Sequence, residues 1–501
     1  MASVMCAVLA TAVGLTGCTI GPNYSRPALA VPAAYKEAPT GWKVAQPADH
    51  ADRGAWWEIF SDPVLNGLIE KANRSNQSIA EYAAAYRQAG ALVAEARASY
   101  FPTATASGST TRAGSGTTTG NTSHSYSTSL GASWEPDLWG SIGRSVTSER
   151  AGQQSAEANL ANARLSVQGT LAEDYFNLRS LDAAQALYDR TVSAYKQSLL
   201  MTQNRYNVGV AGRADVVQAQ TLLQSAQASA VDNQISRAQY EHAIAVLVGE
   251  PASTFSIAAA PLDAQPPTIP LRLPGALLER RPDVASAERT AAAANEQIGI
   301  AQAAFFPTLT LSASGGFDST SLATWLTAPA RFWSLGPSLA ATLFDGGLRH
   351  AKVDAARAVY DQEAAAYRAT VLAAFQNVED NLASLRILAD EEVIQRQAVA
   401  SAEQSLAITT NSYKAGTTIF LDVLTAETTA FTARRSLVDI QGRRMVAAAG
   451  LIMALGGGWE GLGSGDAQAA QATAPASSTT PATTSSTPAT TSPTPAASTS
   501  G

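Results

Sequence analysis

Cysteine is almost missing from this chain. Of 501 residues only Cys6 and Cys18 are cysteines, and both lie at the extreme N-terminus. A disulfide framework or a cysteine-based metal site is therefore excluded from the body of the protein. Histidine is nearly as scarce, with His50, His124, His242 and His350 far apart. A His-based metal site or triad would have to be assembled from distant pieces, and no nucleophile–base or paired-carboxylate spacing is readable. The expectation is no catalytic residue, no metal and no cofactor. No run of five or six basic residues occurs and the net charge is -7, so nucleic acid is not the expected partner. Long apolar runs are missing too. The longest candidate, Met445 to Gly457, ends in glycines and falls short of the roughly 18 residues of a membrane helix. If the chain crosses a membrane, it does so with strands.

The first residues, MASVMCAVLATAVGLTGC, are short, apolar and end in small side chains, as a secretory signal does. LTGC, Leu15 to Cys18, resembles a bacterial lipobox, in which cleavage before the cysteine leaves it lipidated. A plain signal or a short membrane anchor is the alternative. Signals normally carry positive charge before the apolar run; none is present here, so the true translation start is expected upstream of Met1. At the other end, residues 458–501 are nearly all Ala, Ser, Thr, Pro and Gly beyond Ser464. Such a composition buries too little apolar surface to order itself.

What the chain does have is a repeat. YNVGVAGRADVVQAQT, Tyr206 to Thr221, returns as YKAGTTIFLDVLTAET, Tyr413 to Thr428, at an offset of 207 residues. The same offset takes Leu171 to Val378, Leu178 to Leu385 and Gly249 to Gly456. YFPTAT, Tyr100 to Thr105, returns as FFPTLT, Phe305 to Thr310, two positions off that register. A period this long is a duplicated domain and not a solenoid. The organisation reads as a lipoprotein-type signal over 1–17, an extended segment over 18–60, a first repeat over 61–249, a Pro-rich connector over 250–290, a second repeat over 291–457 and a tail over 458–501.

Each unit runs in one order. A helical stretch leads to an FPT sequence, where Pro102 or Pro307 ends the helix and opens a strand. Alternating stretches follow, with strands expected at about 101–111 and 125–135, then at about 306–314 and 335–344. Gly/Ser/Thr-rich loops, Gly114 to Ser123 and Gly315 to Ser321, join them. Runs of about nine to eleven residues match tilted strands through a bilayer. The aromatics Tyr100, Phe101, Trp134, Trp139, Phe305, Phe306 and Phe344 sit at the strand ends, like an interfacial girdle; a soluble hairpin with aromatic core residues is the competing reading. Four strands cannot close a membrane barrel, which begins at about eight, so several chains must share one; spacing does not choose between a dimer and a trimer.

Long helical stretches follow, from about Ser141 to Tyr206 and from about Leu348 to Tyr413. Some 65 residues would reach roughly 100 Å. Val371, Phe375, Val378, Leu382 and Leu385 form a coiled-coil-like seam over about two heptads. The repeated turn then joins each long helix to a returning one, Asp215 to Leu247 or Asp422 to Leu455. Gly209 and Gly416 suit the left-handed conformation that closes a helix, and Val216 and Val423 are expected to start the next. Pro282, after Arg280 and Arg281, suits the first position of a helix and reads as a structural start signal.

In this order of parts the chain resembles the TolC/OprM family of outer-membrane efflux channels, in its NodT-type lipoprotein branch. The resemblance rests on the duplication and on CTIGPNYSRP (Cys18 to Pro27), WWEIFSDPVLNGLIEKA (Trp56 to Ala72), LPGALLERRPDVASAE (Leu273 to Glu288), LFDGGLR (Leu343 to Arg349) and the two tip sequences. It implies a mainly α fold with a β-barrel part: a homotrimer sharing a twelve-stranded barrel in the Gram-negative outer membrane, continuous with a long periplasmic α-helical barrel. It also implies lipidation at Cys18, a passive conduit exporting small molecules, and opening of the tip by a periplasmic adaptor and an inner-membrane pump of the RND type. The family's acidic pore constriction maps onto Asp215 and Asp422; helix N-capping, with Gln218 completing a capping box after Asp215, is the alternative role. Tyr206 and Tyr413 match tip tyrosines that hold helices together, with simple packing as the alternative. A second acidic ring and a salt-bridge lock found in some relatives are put in doubt by Thr425 and Thr418. Rival readings are the exit duct of a type I protein secretion system and, with less support from the repeat, a trimeric surface stalk or adhesin.

Overall fold

The duplication read in the sequence is carried into the backbone, helix for helix and hairpin for hairpin after the helix Pro63–Ser75. In a computed structural model the described residues are 19–29, 32, 34–37, 55–114, 122–262, 266–267 and 281–457, all inside one unit, Met1–Leu462. Cys18, the signal, the tail and most of the Pro-rich connector beyond Leu262 lie outside them. Two short helices, α1 (Pro63–Ser75) and α2 (Gln77–Ala98), lead to strands β1 (Thr103–Gly114) and β2 (Thr122–Trp134). Helix α3 (Ser141–Asn207) and the returning α4 (Arg213–Leu247) complete the first unit. The second is α5 (Pro282–Ala303), β3 (Thr308–Ser319), β4 (Arg331–Ala340), α6 (Leu348–Lys414) and α7 (Phe420–Ala454). Both α3 and α6 have 67 residues and both α4 and α7 have 35; at 1.5 Å per residue the long pair reach about 100 Å.

Helix α5 begins inside the segment read as connector, because Pro282 occupies its first turn, where a missing N–H costs nothing. The returning helices begin at Arg213 and Phe420, earlier than Val216 and Val423, with Gly212 and Ile419 as extended N-caps.

The strands form one antiparallel sheet in the order β1-β2-β3-β4. Several boundaries differ from the sequence reading; β2 and β4 start earlier, at Thr122 and Arg331. Gly315 to Ser319 is strand, not loop: Gly315 pairs with both Leu130 and Trp333. A Cβ on Gly316 would lie 2.0 Å from the Thr128 carbonyl oxygen, so glycine here permits close strand approach. β4 stops at Ala340, short of Phe344, because its partner begins only at Thr308, just after Pro307. β1 starts at Thr103 and not at Phe101, since Pro102 has no N–H to give.

Pairing register assigns the side chains to two faces. Leu130, Gly315 and Trp333 lie side by side, so the alternation of a strand puts Leu309, Leu311, Ala313 and Phe317 of β3 with Leu335 and Leu339 of β4. The opposite face carries Thr308, Thr310, Ser312 and Ser314 of β3 with Ser127, Ser129 and Ser133 of β2. Among the described residues no helix layer covers either face, and Leu130, Trp333, Leu335 and Leu339 are 69%, 83%, 75% and 69% exposed. Trp134, Phe101 and Phe306 stand at the end where the strands meet the helices, as does Trp139, whose indole donates to the Pro307 carbonyl at 2.7 Å. The far end has its own aromatics, including Tyr126 and Trp325 with ring centroids 6.0 Å apart.

The apolar core sits part-way along the long helices. Trp56, Trp57, Phe60, Leu65 and Ile69 pack with Leu171, Tyr175 and Phe176 of α3 and with Val371, Phe375, Val378 and Leu382 of the α6 seam. Asp62 caps α1 by accepting from the Val64 and Leu65 N–H groups, and its second oxygen takes the Tyr175 hydroxyl at 2.5 Å. The N-terminal segment is a strap on the helices. Arg144, buried, donates to the carbonyls of Ile20 and Pro22 and to Glu296 at 2.7 Å. Further along, the Lys36 and Glu37 N–H groups donate to Glu379 at 2.8 and 2.9 Å. Among the described residues no helix is long and apolar enough to cross a membrane.

Candidate functional site

The two repeated turns lie next to one another at the end of the long helices. Each long helix closes in the same way: Gly209 and Gly416 take φ of +76° and +78°, which a Cβ would oppose. The Val210 N–H returns to the Arg205 carbonyl at 2.8 Å, and its counterpart Thr417 to Ser412 at 3.0 Å, the long-range bond of a glycine C-cap.

Beyond that shared backbone the two turns part. In the second, Tyr413, Phe420 and Val423 are 3%, 1% and 0% exposed and pack with Ala219 of α4, against Leu199 and Met201 of α3. The Tyr413 and Phe420 rings have centroids 5.5 Å apart. Arg205 of the first unit stacks over the Tyr413 ring at 4.5 Å and donates to the Tyr413 carbonyl at 3.0 Å. In the first turn, Tyr206 is 45% exposed and outside this cluster.

Neither aspartate is an N-cap. Asp215 and Asp422 are the third residues of their helices, after caps Gly212 and Ile419. There the Asp215 carboxylate accepts from the Gly212 N–H at 3.3 Å, the reaching-back half of a capping box; Gln218 takes no part in it. The Asp422 carboxylate accepts from the Thr418 hydroxyl. Both carboxylates sit in the first turn, where the helix dipole favours negative charge. A cleft of about 220 Å³ beside Asp422 is lined by Thr409, Thr425 and Thr429.

A third carboxyl near the turns escaped the sequence reading. Glu427, one turn beyond Asp422, is largely buried, and burial pushes its pKa up to about 7 against the lowering influence of the Ser198 hydroxyl. Its Oε2 has no hydrogen-bond partner. Arg205 was likewise missed. The signal for both is asymmetry between repeats: at the same offset Arg205 meets Ser412, Glu427 meets Gln220 and Phe420 meets Arg213.

Comparison with known proteins accords with this geometry. The pattern of the family described as outer membrane efflux protein matches the chain twice, over residues 68–250 and 273–457. The chain belongs to that family. It is 29% identical over 457 residues to the cation efflux system protein CusC of Escherichia coli O6:H1, covering 90% of this chain and 97% of CusC. It is 30% identical over 459 residues to the probable efflux pump outer membrane protein TtgC of Pseudomonas putida, covering 90% and 94%. The crystal structure of the open state of the Neisseria gonorrhoeae MtrE outer membrane channel superposes with a TM-score of 0.78 at 30% identity, covering 88% of this chain and 98% of that one. The protein is thus an outer-membrane channel of an efflux system and not an enzyme.

Proposed function

We propose that three copies of this chain share one twelve-stranded barrel and form a passive duct through which small molecules leave the periplasm. The observation that carries this reading is the sheet with a mainly apolar face, a mainly Ser/Thr face and, among the described residues, no covering layer. In water an exposed apolar sheet face is a liability; in a barrel wall it meets lipid, while the polar face meets the lumen. Four strands leave β1 and β4 as open edges among the described residues, and pairing each with its neighbour's opposite edge closes the ring with no free N–H or C=O. Helices α3 and α6 would extend the duct into the periplasm.

The tip is the gate in this reading. Asp215 and Asp422, one of each per chain, supply six carboxylates around the threefold axis, and crowded carboxylates favour cations in a narrow pore. A periplasmic adaptor and an inner-membrane pump of the RND type would stabilise the open arrangement, a shift between two populations. That MtrE has a crystal structure described as open supports two such arrangements in a relative. Cys18, acylated, would anchor the strap that begins at Thr19.

Planar-bilayer conductance of the purified protein, beside an Asp215→Ala, Asp422→Ala double variant, tests this. The expected result is a small, cation-selective wild-type conductance whose selectivity falls in the variant. Selectivity carried over unchanged would reduce both aspartates to helix-end carboxylates. Absence of conductance from a trimeric sample would overturn the duct in favour of a stalk.

A further inference from the structure

Beside the helix-side end of the sheet, the last turn of α2, the first turns of α3 and the N-terminal strap surround a cleft of about 610 Å³. Thr19, Arg97, Tyr100, Phe101, Arg144 and Arg150 are among the residues lining it. The three arginines are not equivalent. Arg144 is buried and spent on Ile20, Pro22 and Glu296. Arg97 and Arg150 are exposed, and among the described residues neither guanidinium makes a hydrogen bond or an ion pair. Two guanidinium groups with open donors therefore face one cleft, and a planar guanidinium fits a phosphate through two parallel hydrogen bonds.

The rest of the wall mixes polar groups, Thr19, Asn23, Thr147 and the Arg144-paired Glu296, with two aromatic rings that sit at a defined depth. Phe101 and Tyr100 are 69% and 41% exposed, and they come immediately before β1, which starts at Thr103. Aromatic rings at strand ends mark the level of the lipid headgroups. Thr19 brings the strap to the same cleft one residue after Cys18. Positive charge, an exposed aromatic ring and headgroup depth coincide in one place.

We propose that this cleft holds the headgroup of an anionic phospholipid from the periplasmic leaflet of the outer membrane, with its phosphate between Arg97 and Arg150 and an acyl chain along Phe101. The proposal rests on the membrane placement of the sheet but not on ion conduction. A protein that conducts yet fails the lipid test below loses this proposal alone.

The test is native mass spectrometry of the full-length protein in detergent, loaded with equal amounts of phosphatidylglycerol and phosphatidylcholine. Wild type should retain phosphatidylglycerol in preference. Each of Arg97→Gln and Arg150→Gln should lower that retention about fivefold, from about 1 kcal/mol per basic residue facing an anionic lipid. Both side chains are exposed, so the melting temperature should not move. Phe101→Ser should also lower retention while leaving binding of inorganic phosphate as it was. Equal retention of the two lipids by wild type, or unchanged retention in the double arginine variant, would overturn the proposal. Full displacement of the lipid by inorganic phosphate at matched concentration would overturn it too, leaving a simple anion site.

Discussion

The first turn, Tyr206 to Asp215, and the second, Tyr413 to Asp422, are built on one backbone and packed in two ways. Both have a left-handed glycine, the same returning hydrogen bond and an aspartate in the first turn of the next helix. Yet the second is folded into the molecule, with Tyr413 and Phe420 buried and Arg205 laid across them, while the first leaves Tyr206 and Arg213 exposed. Replacing Arg213 by Phe420 at the equivalent position accounts for most of this, since a phenyl ring gains from burial what a guanidinium would lose. Duplication copied the turn, and divergence made one copy an anchor and the other a free surface. In the duct proposed above, the first turn would be the part that partners can reach and move.

That contrast can be broken most forcefully at Phe420. Phe420→Ala should cost about 3–5 kcal/mol, as buried phenylalanines do, and should make the second turn exchange amide hydrogens as readily as the first. Arg213→Ala, at the matching place, should change chemical-denaturation midpoints hardly at all.

Arg205→Gln comes next. It removes the stack on Tyr413 and the hydrogen bonds to the Tyr413 and Lys414 carbonyls at 3.0 and 3.3 Å. A loss of about 2 kcal/mol is expected, read as faster proteolysis of the second turn and a larger resting conductance.

Glu427 offers a smaller, pH-dependent effect. Its folded pKa is raised from 4.5 to about 7 by burial, so the folded chain holds that proton more tightly than the unfolded chain. The stabilisation is full below about pH 4.5 and is lost as pH rises through about 7. Glu427→Gln should flatten the fall in melting temperature between these values. The half-buried Asp174, raised to about 6 by desolvation, should leave part of the slope in place. The smallest change belongs to Tyr206→Ala, whose exposed ring should be worth under about 0.5 kcal/mol; a larger loss in the assembled protein would mean that a neighbouring chain covers it.

Legibility in the sequence followed the range of the interaction. The α6 seam was readable because Val371, Phe375, Val378 and Leu382 declare a helical period within about three turns, and all four are buried. Gly209 and Gly416 were readable as helix ends because a left-handed residue is a local demand. Gly315 to Ser319 was misread as a loop: a Gly-Gly pair looks like a turn until a neighbouring strand occupies the space a Cβ would need. The aspartates were read as possible N-caps, three residues from where the caps lie, since Gly212 and Ile419 have no side-chain oxygen to advertise the start of a helix.

By itself the sequence determined the duplicated unit, the period of its helices, the alternation of its strands and the positions of its turns. These depend on residues a few places apart, and the 207-residue offset repeats them. Only the tertiary structure decided which strand faces pair into one apolar surface, that Arg205 of one repeat closes over Tyr413 of the other, and that Arg97 and Arg150 open onto one cleft with Phe101. Each of those depends on how separate elements register against one another, and a shift of one residue along a strand would send every side chain to the opposite face.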